Sequence, residues 1–60
     1  GEARGELQGR RVMLRKQLAL RFGALPVSVN ARLDAADAAT LDTWAERVLT
    51  AATLEDVLAG

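Results

Sequence analysis

The run RFGALP at residues 21–26 cannot lie inside one secondary-structure element. Gly23 follows an apolar periodic stretch, and a glycine there is the usual helix stop. It enters the left-handed conformation without a Cβ clash. Pro26 cannot continue that helix, but it can open the next one, where its missing N–H costs nothing. The chain must therefore turn once near its middle, between two helices.

Before the turn, Leu7, Leu14, Leu18 and Phe22 are spaced seven, four and four residues apart. At about 100° per residue they share one helical stripe. Met13 and Leu20 lie well over 100° from the centre of that stripe, and Val12 and Ala19 fall on a third side. The first helix is thus apolar on more faces than one small core can cover. Its strong signal runs from about Gly9 to Phe22. Gly1, Gly5 and Gly9 recur every fourth residue, and an interior glycine costs a helix about 1 kcal/mol relative to alanine. Residues 1–8 are therefore expected as a lead-in or linker ahead of one small domain over 9–60. A helix ordered by outside contact is the sharper alternative.

After the turn, a short helix is expected over about 26–35, with Val29 and Leu33 on one face and Ala36 next in line. Asp37 suits the N-cap of a third helix starting at Ala38, with a start at Thr40 as the alternative. Leu41, Trp44, Ala45, Val48, Leu49 and Ala52 then follow at i, i+3, i+4, i+7, i+8 and i+11, a clean amphipathic pattern. Thr53 suits the cap of a final short helix carrying Leu54, Val57 and Leu58. Glu55 and Asp56 in its first turn favour the positive end of the helix dipole. The expected fold is all-α: one longer N-terminal helix, a Gly-Pro elbow and a compact cluster of about three short helices. Its expected core is Leu18, Phe22, Leu33, Leu41, Trp44, Val48 and Leu49.

Sixty residues make at most one domain, and a core of that size rarely supplies more than about 3–5 kcal/mol unaided. Cysteine and histidine are both absent. That removes disulfides, thiolate metal sites and the commonest general base. Ser28, the only serine, has no such base to activate it, and Lys16 is the only lysine. Asp34, Asp37, Asp42 and Glu46 show no metal-loop spacing. No enzyme activity, metal or cofactor is expected. No apolar run nears the roughly 20 residues of a membrane span, and nothing resembles a signal peptide. A cytoplasmic location is expected. Oligomerisation is the remaining way to strengthen so small a fold, and a homodimer is its simplest form. Leu7, Met13, Leu14 and Leu20 are the expected interface residues, with Arg11 or Arg15 pairing with acids across it.

The formal net charge of zero hides a division. Residues 1–21 hold six basic and two acidic side chains, and residues 22–60 hold two and six. Either the halves attract each other, or Arg10, Arg11, Arg15 and Lys16 face a nucleic acid. The acidic second half disfavours the latter.

Three blocks carry a family resemblance. LALRFGALP at 18–26 resembles the “LLxRRFGxLP” hallmark of a small bacterial domain of unknown function. LDTWAERVL at 41–49 and TLEDVL at 53–58 resemble its “LExWxxRxL” and “SLEDVL” blocks, in order. The glycine-spaced lead-in is similar to the Gly-Glu-rich run that often precedes it. That domain recurs at the C-terminus of Rpn-type proteins, recombination-promoting nucleases and transposase-related proteins. The resemblance implies an accessory or assembly role after a nuclease domain of the PD-(D/E)xK type, with that domain or a second copy as partner. It implies no catalytic residue here, because Lys16 has no correctly spaced carboxylate.

Overall fold

A computed structural model describes residues 2–59; Gly1 and Gly60 lie outside it. Four helices follow in order: α1 (Glu2–Phe22), α2 (Val27–Ala35), α3 (Ala38–Arg47) and α4 (Leu54–Leu58). α1 packs against both α2 and α3, and α3 carries α4. The expected architecture of one long helix and three short ones is the one observed.

α1 begins at Glu2, not near Gly9, so residues 2–8 are helix rather than an unstructured lead-in. Leu7 lies half-buried against the core, which helps to offset the cost of Gly5 and Gly9 inside the helix. At the other end Gly23 has φ 85°, and its N–H bonds to the Ala19 carbonyl at 2.9 Å. It stops α1 by the left-handed route. Pro26 stands one residue outside α2 as its N-cap, with extended backbone, rather than as the first helical residue. Its carbonyl still accepts from Val29 and Asn30.

The caps of the last two helices fall where expected. The Asp37 carboxylate accepts from the Thr40 N–H at 2.9 Å. The Thr53 hydroxyl accepts from the Asp56 N–H at 3.2 Å. Each satisfies one of the orphan donors of a helix start.

Among the described residues ten form the core: Leu14, Leu18, Val29, Leu33, Ala36, Leu41, Trp44, Val48, Val57 and Leu58. Phe22, expected inside, packs at the edge and is only half-buried. Leu49 corrects the sequence expectation outright, because it is 78% exposed. α3 ends at Arg47, and residues 48–50 form turns in which Leu49 bonds back to Glu46. The helical period that would have carried Leu49 inward stops before it. Leu14 is corrected in the other direction: at 2% exposure it belongs to the core of one chain, not to a surface between chains.

Candidate functional site

The division of charge is largely spent inside the fold. Arg10 pairs with Asp42 of α3 at 2.9 Å, and Arg15 with Asp34 of α2 at 2.8 Å. Arg15 also donates to the Asn30 side chain. Arg11 donates to the carbonyls of Leu33 at 2.9 Å and Ala36 at 2.8 Å. Those carbonyls lie at the C-terminal end of α2, where a cation suits the helix dipole.

Other arginines repeat this use. Arg21 donates to the Val48 carbonyl just past α3. Arg32 donates to the Leu58 carbonyl at 2.8 Å while its guanidinium stands 5.4 Å from the Trp44 ring centre. Arg47 donates to the carbonyls of Val57 and Ala59. Thus Arg11 and Arg15, expected to reach acids of another chain, find partners in their own. Of the four cations considered for nucleic acid, Lys16 alone has no hydrogen-bond or ion-pair partner among the described residues.

Among the described residues, Val12, Met13, Leu20, Val27 and Leu49 are the large apolar side chains left exposed. Met13 is 57% exposed and Leu20 77%, on the side of α1 turned away from Leu14 and Leu18. Leu49 stands beside Leu20. A groove of about 630 Å³ runs between α1 and α3, with Glu6, Gly9, Met13 and Gln17 on one wall and Asp42 and Ala45 on the other. Gln17 also borders a shallower depression of about 250 Å³ lined by Leu20, Arg21, Val48 and Leu49. The two join into one surface along the α1–α3 seam. Met13 and Leu20 were legible from their spacing opposite the inner stripe. Leu49 was not, although its position about 80° from Leu41 on a helical wheel placed it at the margin of the α3 stripe.

No described group of three or more His, Cys, Asp or Glu could hold a metal ion. No described helix is long and apolar enough to cross a membrane. Ser28 is exposed beside a hollow formed by Pro26, Val29, Arg32, Leu54, Glu55 and Leu58, and among the described residues no hydrogen bond joins its hydroxyl to Glu55.

No family model, curated protein or solved structure matches this chain.

Proposed function

We propose that this chain is a non-catalytic interaction module that associates with a second copy of itself through the α1–α3 surface. The observation carrying this reading is that Met13, Leu20 and Leu49 are each more than half exposed, Met13 at one groove between α1 and α3 and Leu20 and Leu49 at the depression that adjoins it at Gln17. Twofold symmetry counts each of them twice. At about 1–2 kcal/mol for each exposed portion, the set contributes on the order of 10 kcal/mol, against an association cost of about 4–15 kcal/mol. The two terms are of similar size, so the association is weak and shows itself only as the protein is concentrated.

The nucleic-acid reading has less support, because three of its four cations already serve the fold. On the resemblance to the Rpn C-terminal domain, pairing two such modules would bring together the domains that precede them. The expected interface keeps Met13 and Leu20, gains Leu49, and loses Leu14, Arg11 and Arg15 to the interior of the single chain. Leu7 is half-spent on the core.

Sedimentation equilibrium from about 5 to 500 μM tests this. The apparent mass is expected to climb from the 6.4 kDa of one chain toward twice that value. A mass fixed at one chain throughout rejects the proposal.

A further inference from the structure

Gln17 borders both hollows of the α1–α3 surface, the groove that holds Met13 and the depression that holds Leu20 and Leu49. Its side chain is half-buried. Yet its amide forms no hydrogen bond with another described residue. The arginines on either side of it toward α3 are both engaged within the chain, Arg10 with Asp42 and Arg21 with the Val48 carbonyl. An amide carries two donors and one acceptor, so a second amide can satisfy it from both sides.

Met13 and Leu20 are seven residues apart and share one stripe of α1. The midpoint between them falls between Lys16 and Gln17, within about 1 Å of Gln17 along the helix. Gln17 stands on the α3 side of that stripe and Lys16 on the side away from α3.

We infer that two copies pair about a twofold axis beside Gln17 with their α1 helices antiparallel, Met13 of each entering the depression between the partner's Leu20 and Leu49 and the two Gln17 amides bonding to each other. This rests on the self-association proposed above and specifies its geometry. A twofold axis makes every contact reciprocal. Met13 on one side of the axis therefore meets Leu20 and Leu49 of the partner, and the same contact recurs on the other side. Apolar surface covers apolar surface at both ends, and an unbranched methionine suits a shallow depression.

The amide selects the direction. With the helices antiparallel, both α3 helices lie on one flank, and the two Gln17 side chains meet there. Each donates to the other's carbonyl. With the helices parallel, the α3 helices lie on opposite flanks, and each Gln17 stands across from the partner's Lys16. That arrangement leaves the amide N–H groups facing an ammonium that accepts no hydrogen bond, and a covered polar group without a partner is costly. In the antiparallel pair the Lys16 side chains share the other flank, where their long stems carry the charge out to water.

Charge at position 17 tests the axis, because a residue beside it meets its own copy. A mixture of Gln17→Glu and Gln17→Lys chains is expected to pair about tenfold more tightly than either variant alone. A mixture no tighter than the better of its two components overturns the axis and leaves self-association standing. A monomeric parent chain overturns both.

Cross-linking gives a second readout, because the chain has no cysteine of its own. A mixture of Met13→Cys and Leu20→Cys chains is expected to form a disulfide-linked heterodimer in a glutathione buffer. Faster linking of either variant to itself, as a parallel pair would give, contradicts the proposed direction. Circular dichroism on every variant separates loss of pairing from loss of fold.

Discussion

Leu33 is fully buried, and Arg11 caps its carbonyl from above. Removing its side chain to the Cβ is expected to cost about 2–5 kcal/mol, comparable to the whole stability of about 3–5 kcal/mol that a core this small holds. Leu33→Ala should therefore be largely unfolded at 25 °C by circular dichroism; a cooperative melt close to that of the parent would contradict its place in the core. Asp37 sets a pH dependence. Hydrogen bonds from Thr40, the hydroxyl first and then the backbone N–H, hold its carboxyl below the usual carboxylate range. The folded chain thus binds that proton less readily than the unfolded one. The cap is at full strength above the unfolded value of about 3.9 and weakens as pH falls through the folded value. Asp37→Asn should flatten the fall in melting temperature below about pH 4, and an identical acid profile would contradict the assignment. The caps were legible because Asp37 and Thr53 act on donors only three residues away. Leu14 was harder. It shares its stripe with Leu18 and Phe22, but periodicity does not tell how far along a long helix the rest of the chain reaches.

At the scale of elements, α1 depends on tertiary contact more than on its own sequence. Gly5 and Gly9 weaken it locally, and Leu7, packed against the core, helps to hold the first turns. This is why local propensity suggested a linker over 1–8 while the folded chain shows helix from Glu2. Gly5→Ala meets nothing within 4 Å and is expected to stabilise the fold by about 1 kcal/mol. Gly23→Ala must take φ 85° with a Cβ and is expected to destabilise it by about 1–2 kcal/mol. Urea midpoints of the two variants should move in opposite directions; movement in the same direction would contradict the contrast between the sites. The end of α3 shows the complementary limit of sequence reading. The apolar period continues through Leu49 and Ala52, yet the helix stops at Arg47, where the backbone turns toward α4. Periodicity marks which residues would share a face if the helix persisted, and it carries no information on whether it does.

In the whole molecule, α1 has two faces with different uses. The inner face, with Leu14, Leu18 and the arginines that reach α2 and α3, builds one folded chain. The outer face, with Met13 and Leu20, is joined by Leu49 and left uncovered. The candidate surface was half legible in the sequence. Met13 and Leu20 stood out as apolar residues on the wrong side of a helix, whereas Leu49 required knowing where α3 ends. The central claim is that the two faces act independently, and Leu20→Glu tests it most directly. Sedimentation equilibrium and circular dichroism on one sample of that variant should give a mass of one chain with full helicity and the melting curve of the dilute parent. A variant that keeps twice the mass of one chain, or one that loses its helices, would contradict it.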